Sequence, residues 1–436
     1  VDALRAAVMD TGDPDLARLG HEYLPLYFGR RHGDPSRPWN RFEIRVRDLD
    51  GRPLLHHEGN WRDIFQNWEA LAMSFPAFLR NMVATFVNAS TADGFNPYRL
   101  TRDGIDWEVP DPEDPWSNIG YWGDHQIVYL LRLLEALDAH DPGAIPGLMA
   151  ADIFSYADVP YRIKPYAAIL ADASDTIDFD AERAAAVDRR VAARGSDGKL
   201  LVDTGGEVLH VNLLEKLLVP ALAKLSNLVP DAGIWMNTQR PEWNDANNAL
   251  AGGGVSVVTL CYLRRYLDFL ARRLTTIEAE ELPVSCEVAD WFGRVAAVFE
   301  TEQAILAGPD RDGQQRRRIM DALGEAFSDY RATLYARGFS GRRGLPLERV
   351  TALCRTALVA IDRSIATNRR EDGLYHAYNL LNFDPEGASV SLARLPEMLE
   401  GQVAVLSSGL LDADAALALR DQLFASDLHD AGLRSF

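Results

Sequence analysis

The sequence predicts an all-α protein built from stacked helical hairpins. Apolar residues recur at helical spacing through most of its 436 residues. Strand-like alternation is confined to one short region, and no regular exchange of strands and helices is visible, so a doubly wound sheet is not expected. Long loops separate the helical segments and complete a helix–loop–helix rhythm.

The helical pattern is clearest in four segments, residues 124–139, 210–225, 255–272 and 346–365. Each carries leucine, isoleucine or valine on one face of a helix. Weaker patterns predict further helices at 61–74, 76–89, 179–194, 286–306, 310–338 and 411–424. Two long loops, 91–123 and 227–254, are rich in Pro, Gly, Asp and Trp, a composition typical of functional loops.

The chain is expected to divide into an N-terminal extension, residues 1–57, and one large helical domain, residues 58–436. Residues 42–46 alternate apolar and charged side chains and are followed by the turn sequence DLDGRP. This pattern predicts a short β-hairpin in the extension.

The charge balance excludes several classes of partner. The chain has 45 basic and 64 acidic residues, a net charge of −19. Nucleic acids and anionic membranes attract basic surfaces, so we expect neither as a partner. No apolar run is long enough to span a bilayer, and no signal peptide is visible, which predicts a cytoplasmic protein. The chain lacks an initiator Met, as expected of a processed product or a piece of a longer protein.

The sequence offers little for metal or thiol chemistry. Cys261, Cys286 and Cys354 are widely spaced and sit in helical patterns, so we expect small buried side chains. No HxH, HExxH or Cys–His spacing occurs, and we expect no metal site. Motifs for a nucleophilic serine or a phosphate-binding loop are also missing.

Tryptophan is concentrated in three segments, 58–68, 105–125 and 233–250, beside Asp, Asn, Gln and Arg. Flat apolar rings with polar neighbours suit a sugar, whose ring has a C–H face and a rim of hydroxyls. Packing in the core is the alternative for each. The residues are Trp61, Trp68, Trp107, Trp116, Trp122, Trp235 and Trp243.

The first segment predicts a sugar-binding helix face. Asp63, Gln66 and Asn67 share one face of a helix, with Arg62 beside them. Planar guanidinium and carboxylate groups can bind neighbouring hydroxyls in pairs. The alternative is an exposed helix start whose charges are merely solvated.

The second segment places Trp122, Asp124 and His125 at the start of a predicted helix. They are candidates for binding a substrate. Asp124 could equally be an N-cap and His125 could make a structural hydrogen bond. The two are not a metal pair, because consecutive residues of a helix point apart.

The third segment predicts a general acid. Glu242 and Asp245 flank Trp243 and Asn244, and a carboxyl group among such neighbours can lose hydration. Its pKa would rise, as a proton donor requires. An Asx-rich turn that caps the next helix is the alternative.

Two later segments repeat the aromatic and polar composition. Tyr375 and His376 follow a predicted turn at Asp372, and Glu400 stands at a predicted helix start. Tyr375 and His376 are candidates for substrate binding, and a packed aromatic cluster is their alternative. For Glu400 the alternative is a solvated helical residue.

These segments resemble the six-hairpin, (α/α)6-barrel glycosidases, and most closely the cellobiose phosphorylase-like family. That family carries an Arg-Asp-x-x-Gln element, a Ser-Asp-Asp-His/Pro element that opens a helix, and a Gly-Asp-Trp-Asn-Asp-Gly element. The order and rough spacing agree over residues 58–270. The matching residues here are Arg62, Asp63 and Gln66, then Gly123, Asp124 and His125, then Glu242, Trp243, Asn244, Asp245 and Ala246.

The resemblance implies an (α/α)6 toroid and an enzyme that cleaves glycosidic bonds of a glucose-type oligosaccharide with inversion. It makes Asp245 the general acid, Arg62, Asp63, Gln66, Asp124, His125 and Asn244 sugar ligands, and Trp122 and Trp243 stacking platforms. It implies no cofactor.

The family's C-terminal phosphate-binding elements have no convincing counterpart, which favours hydrolysis with a carboxylate base. Glu400 is the preferred base because it precedes Gly401 at a loop-to-helix junction. Asp372 and Glu371 are the next candidates. A glycoside phosphorylase that uses inorganic phosphate and a non-catalytic carbohydrate-binding scaffold remain the alternatives.

Overall fold

A computed structural model describes most of the chain. The described residues are 1–25, 47–53, 58–97, 99–101, 104–107, 109–113, 126–237, 250, 252–309, 311–384 and 387–436. The side chains of 58 and 60–63 are not among them. Of the described residues, 56% are helical and 16% are in strands.

The helices agree closely with the periodicity of apolar residues. In chain order they are α1 (Asp2–Asp10), α2 (Pro14–Glu22), α3 (Trp61–Ser74), α4 (Leu79–Asn88), α5 (Gln126–His140), α6 (Ala144–Met149), α7 (Tyr166–Ala171), α8 (Ala181–Arg194), α9 (Leu213–Leu225), α10 (Val257–Leu274), α11 (Cys286–Thr301), α12 (Gln303–Ala307), α13 (Gly313–Arg337), α14 (Leu347–Thr367), α15 (Leu399–Ser407) and α16 (Ala413–Ala425). Short 3-10 helices occur at Pro76–Phe78 and Gly195–Lys199.

The strands are short. They are β1 (Glu58–Asn60), β2 (Arg99–Thr101), β3 (Gly104–Asp106), β4 (Tyr161–Ile163), β5 (Ile177–Phe179), β6 (Leu228–Val229), β7 (Gly233–Trp235), β8 (Gly254–Ser256), β9 (Glu281–Ser285), β10 (Arg342–Pro346), β11 (Tyr378–Phe383) and β12 (Val390–Arg394).

The predicted all-α (α/α)6 toroid is wrong. The described residues include a five-stranded antiparallel sheet in the order β12-β11-β8-β7-β6, so the protein mixes helices and sheet. The strands were missed because they are two to six residues long, and β6, β7 and β8 are buried throughout. Such strands do not alternate apolar and polar residues. Both predicted long loops contain strands, β2 and β3 in one and β6 and β7 in the other, which ends at the first residue of β8.

By their contacts the residues form two compact units. The first comprises Val1–Ile163, Ile177–Pro220 and Pro283–Ser285, and the second comprises Lys164–Thr176, Ala221–Leu282 and Cys286–Phe436.

The core of the first unit forms where helices α2 to α5 pack, α2 on α4, α4 on α5 and α3 on α5. The ring centroids of Phe65 and Trp68 lie 5.0 Å apart, and those of Phe65 and Phe86 lie 4.2 Å apart. A small antiparallel sheet, β1-β2-β3, and the antiparallel pair β4-β5 belong to the same unit. Helices α1 and α2 were not predicted.

The predicted hairpin of the N-terminal extension can be followed only at its turn. Asp48 N donates to Arg52 O across 3.0 Å, and Gly51, with φ of 79°, donates to Asp48 O across 3.0 Å. Residues 42–46 and 54–56, its predicted strands, lie outside the described residues.

The second unit combines the five-stranded sheet with long helices. Helix α10 follows directly on β8 and packs against α14 and α15, while α11 packs against α13. The Trp291 ring stacks on Phe327 and Tyr330, with centroids 4.7 Å and 4.4 Å away. A capping box fixes the start of α13, where Asp312 accepts from Gln315 N and the Gln315 side chain accepts from Asp312 N.

Candidate functional site

The first predicted site segment lies on a pair of parallel helices. Gln66 of α3 donates to the Tyr129 hydroxyl of α5 across 2.9 Å. Arg132 Nε donates to Glu69 Oε1, also across 2.9 Å. Both contacts join residues 63 positions apart, so residue numbers rise in the same direction along both helices. The helices therefore run parallel, and their N-terminal ends lie at one end of the pair.

The parallel pairing of α3 and α5 determines which helix ends two groups of predicted sugar ligands adjoin. Arg62 and Asp63 are in the first turn of α3, although their side chains lie outside the described residues. Asp124 and His125 lie outside them as well, but they directly precede Gln126, the first residue of α5. The two segments thus adjoin neighbouring helix ends. Trp122 also falls outside the described residues.

Two buried amides in the first unit were not anticipated. Asn96 and Gln126 are both 0% exposed, and within the described part of the chain neither amide makes a side-chain hydrogen bond. A buried amide without partners is rare in folded proteins and commonly marks a water or ligand contact. Gln126 is the residue after His125. The sequence signal that could have identified Gln126 is its position at a helix start, directly after the candidate ligands Asp124 and His125.

Packing accounts for three of the clustered tryptophans. Trp68, Trp107 and Trp235 are 1%, 7% and 3% exposed. The Trp235 indole donates to Gly252 O across 2.7 Å, as buried tryptophans usually do. These three belong to the core. Trp116, the predicted stacking residue Trp122 and Trp243 lie outside the described residues.

The segment that carries the predicted general acid joins β7 to β8. Trp243, Asn244 and Asp245 lie outside the described residues, but both ends of the connection are fixed. Met236 N donates to Gly254 O across 2.9 Å where β7 and β8 meet. Gly252 has φ of 81°, and a Cβ there would lie 2.7 Å from Ala173 O, so the backbone requires glycine.

The structure brings the two C-terminal candidate segments together. Gln402 Oε1 accepts from Tyr375 N across 2.8 Å, and Gln402 Nε2 donates to Tyr375 O across 2.7 Å. A Cβ on Gly401 would lie 2.9 Å from the Ala377 Cβ. Tyr375 and His376 are therefore held against the first turn of α15, which contains Glu400.

Charge and burial differ among these residues. Glu400 lies in the first turn of α15, where the helix dipole favours a negative charge. Burial lowers the pKa of His376, whose Nδ1 lies 2.8 Å from Leu395 O. Burial also raises the pKa of Tyr375. At pH 7 the cluster therefore combines a neutral imidazole with a neutral phenol.

The runner-up base, Asp372, is engaged elsewhere. Arg370 contacts its carboxylate at 2.8 Å, and the hydrogen bond from Arg370 is the main reason that the pKa of Asp372 is lowered. Leu374 N donates to the same carboxylate, as in an Asx turn. Asp372 thus serves the turn predicted at this position.

The register of β8 against β11 shows which strand ends adjoin the connection carrying Asp245 and which adjoin Tyr375 and His376. In the β8–β11 pair, Ser256 is opposite Tyr378 and Gly254 is opposite Leu380. The connection carrying Asp245 enters β8 at Gly254. Tyr375 and His376 precede β11 at the other end of the pair. The two groups thus adjoin opposite ends of these strands.

No group of three or more His, Cys, Asp or Glu side chains in the described ranges is arranged to hold a metal ion. Among the same residues, no helix combines the length and apolar character needed to cross a lipid bilayer. No model of a known protein family matches the chain, and no curated protein sequence matches it either. The chain's own residues must therefore carry the functional inference.

Proposed function

We propose that the protein is a carbohydrate-active enzyme that hydrolyses a glycosidic bond of a glucose-type oligosaccharide with inversion at the anomeric carbon. The observation that carries the proposal is the parallel α3–α5 pair, with its 2.9 Å contact between Gln66 and Tyr129. Because the two helices are parallel, the segment with Arg62 and Asp63 and the segment with Asp124 and His125 adjoin neighbouring helix ends.

Sugar recognition is assigned to the segments at the starts of α3 and α5. Arg62 and Asp63 supply a guanidinium and a carboxylate for neighbouring hydroxyls, and Gln66 adds an amide whose direction the Tyr129 hydroxyl fixes. Asp124 and His125 bind further hydroxyls at the start of α5. Trp122 and Trp243 offer flat faces to sugar rings.

The buried amide of Gln126 supports a polar ligand at the start of α5. An amide both donates and accepts, as a sugar hydroxyl does, and in the described part of the chain neither atom has a partner. The Gln126 amide is neutral and 0% exposed, and because burying a charge beside it would be costly, a charged ligand is disfavoured there.

Bond cleavage is assigned to two carboxyl groups, those of Asp245 and Glu400. Asp245, beside Trp243 and Asn244, protonates the leaving oxygen. Glu400 removes a proton from the attacking water, which requires the two carboxyl groups to stand about 6.5–9.5 Å apart on opposite faces of the sugar. Glu400 lies in the first turn of α15, where the helix dipole favours the negative charge that a base requires. Tyr375 and His376, held against the same turn by Gln402, take the role of substrate contacts.

The decisive variant for the base is Glu400→Gln, with Asp372→Asn as its matched control. We expect Glu400→Gln to slow hydrolysis by about 100-fold or more while sugar affinity survives. Azide should restore turnover and give a glycosyl azide of inverted configuration. Asp372→Asn should retain activity, because Arg370 already holds that carboxylate.

Near-normal turnover in Glu400→Gln would remove Glu400 from the mechanism. Activity that appears only with inorganic phosphate and releases a sugar 1-phosphate would identify a glycoside phosphorylase instead. Sugar binding without turnover, unchanged in Asp245→Asn, would indicate a carbohydrate-binding scaffold.

A further inference from the structure

A cleft in the second unit lies between the start of α13 and strand β12. Its wall is formed largely by groups that donate hydrogen bonds. The lining includes Gln314, Ser391 and Arg394, all three of them exposed, together with the buried side chain of Arg316. Neither α13 nor β12 supplies a residue to the proposed reaction, so the cleft shares no group with the site assigned above.

Positive charge is in excess beside this cleft. The carboxylate of Asp231 contacts Arg311 and, at 3.3 Å, Arg316. Arg394 joins the same cluster, because it donates to the backbone oxygen of Asp231 across 3.1 Å. Three guanidinium groups thus gather around one carboxylate. The cluster is therefore positive in a protein whose overall net charge is −19.

Arg394 is the exposed member of the cluster. It donates to Asn368 Oδ1 and to Asp231 O, which are both uncharged oxygens, and in the described part of the chain it makes no ion pair with a carboxylate. Burial lowers the pKa of Arg394, the charge of Asp231 raises it and the charge of Arg316 lowers it again. An anion in the cleft would supply the counter-charge that this guanidinium lacks.

Neutral donors of the wall add to the attraction of the arginines. The N–H groups of Gly313 and Gln314, the first two residues of α13, have no acceptor within the helix. The Ser391 hydroxyl is available as well, since its contact with Asn382 O is long, at 3.4 Å. Guanidinium, amide and hydroxyl donors together suit a phosphate group, with its three terminal oxygens, better than a carboxylate with two.

One acidic group of the wall opposes an anion. Asp312, the N-cap of α13, lines the cleft, and its carboxylate accepts from Gln315 N across 2.7 Å. Its charge weakens the attraction without reversing it, because three guanidinium groups still outnumber the carboxylates of Asp231 and Asp312. Asparagine caps a helix as well as aspartate does, so Asp312→Asn removes the charge and keeps the cap.

We infer that this cleft binds the phosphate group of a small ligand, with Arg394 as its main contact and Arg316 as a second positive charge behind the hydrogen bonds of α13 and Ser391. The phosphate group is either free inorganic phosphate or part of a phosphorylated small molecule. The inference does not rest on the proposed hydrolysis, since it uses only the charges and donors of the cleft.

The experiment is phosphorus NMR of the whole chain at low salt and about pH 7.5, where a phosphate group is largely dianionic. The chain is titrated with inorganic phosphate and with glucose 6-phosphate. We expect a dissociation constant of about 1 mM that weakens with added salt, because the attraction is ionic. Tighter binding of glucose 6-phosphate would identify a phosphorylated molecule as the ligand, and equal or weaker binding would identify free phosphate. Absence of binding by both would overturn the inference.

Four variants test the charge of the cleft. Gln314→Glu adds a negative charge at a helix start, where the helix tolerates it, and should weaken phosphate binding at least about fivefold. Asp312→Asn should strengthen binding by a similar factor. Arg394→Gln should weaken it at least about tenfold. Arg420→Gln removes the same charge from an exposed pair on α16 and should leave binding unchanged. Binding that is unaltered in both Gln314→Glu and Asp312→Asn would overturn the inference, even if Arg394→Gln does not fold.

Glu400→Gln separates this cleft from the proposed active site. Phosphate binding that survives Glu400→Gln and is weakened in Gln314→Glu supports the cleft, whether or not the chain hydrolyses a sugar. Phosphate binding that changes in Glu400→Gln but not in Gln314→Glu would place the phosphate in the proposed active site and overturn the inference. Gln314→Glu should leave hydrolysis intact, so failure of the proposed function and failure of this inference give different results.

Discussion

The Gln66 amide and the Tyr129 hydroxyl lie 2.9 Å apart, and this contact fixes the register of α3 against α5. The Glu69–Arg132 pair repeats the same offset one turn later. Two such contacts define a parallel alignment, so the first turns of both helices lie at the same end of the pair.

Tyr129→Phe removes the hydroxyl that orients Gln66. Because Gln66 is exposed, the free energy of unfolding should fall by less than about 1 kcal/mol. Affinity for the oligosaccharide, measured by calorimetry, should fall severalfold.

Arg132→Gln is the control, because it breaks the neighbouring pair one turn further from the helix ends. It should have a similarly small effect on stability and leave sugar affinity unchanged. Equal losses of affinity in the two variants would argue that α3 and α5 contribute only structure.

Two helical glycines of the second unit should respond in opposite ways to alanine. A Cβ on Gly324 of α13 would lie 2.3 Å from the Tyr166 ring, whereas a Cβ on Gly293 of α11 would meet nothing within 4 Å. Gly324→Ala should therefore destabilise the protein by about 1–3 kcal/mol through overpacking. Gly293→Ala should stabilise it by up to about 1 kcal/mol, since alanine is the better helix former. Thermal unfolding of both variants checks the signs, and destabilisation by Gly293→Ala would contradict the packing of α11.

The buried carboxylate of Asp231 anchors several segments of the second unit. It contacts Arg311, whose side chain is 0% exposed, and Arg316 at 3.3 Å. Asp231→Ala leaves two buried cations without their partner and should cost about 3–5 kcal/mol in urea unfolding. Asp421→Ala breaks an exposed pair with Arg420 and should cost less than about 1 kcal/mol. Similar costs would show that the Asp231 cluster is open to water.

Stability should fall as the pH drops below neutrality. Burial, helped by Arg5 and Arg80, lowers the pKa of His21 from its ordinary value of 6.5. Its Nδ1 lies 2.9 Å from Ala17 O, which can only accept, so the neutral ring is already hydrogen-bonded. At pH values between 6.5 and the lower pKa of His21 in the folded protein, the unfolded chain binds one proton more than the folded chain. This contribution is therefore complete above pH 6.5 and is lost as the pH falls towards the folded pKa.

Urea midpoints between about pH 7.5 and pH 5 test this sign. His21→Gln should flatten the slope, whereas His140→Gln, at an exposed helix end, should leave it unchanged. An unaltered slope in His21→Gln would assign the pH dependence to other groups.

Sequence periodicity located the long helices because each must bury one apolar face. The predicted segment 61–74 coincides with α3, and 346–365 differs from α14 by one or two residues at each end. It could not locate β6 to β8, which are buried on both sides. That failure produced the mistaken all-α class, and the family resemblance added the mistaken toroid.

The candidate site was only partly accessible to the same reasoning. Local spacing placed Arg62, Asp63 and Gln66 on one helix. It could not reveal that Tyr129, 63 residues after Gln66, fixes that helix against α5. It also could not reveal that Gln402 clamps Tyr375, because a contact across 27 residues leaves no periodic signal. Long-range hydrogen bonds of this kind depend on tertiary packing.

Product analysis by NMR tests the central claim most directly. The chain is incubated with a panel of glucans, with and without inorganic phosphate, and the anomeric form of the first product is recorded. We expect release of a sugar of inverted configuration without phosphate, reduced by about 100-fold or more in Asp245→Asn. Retained configuration, full activity in Asp245→Asn, or no cleavage of any glucan would contradict the account.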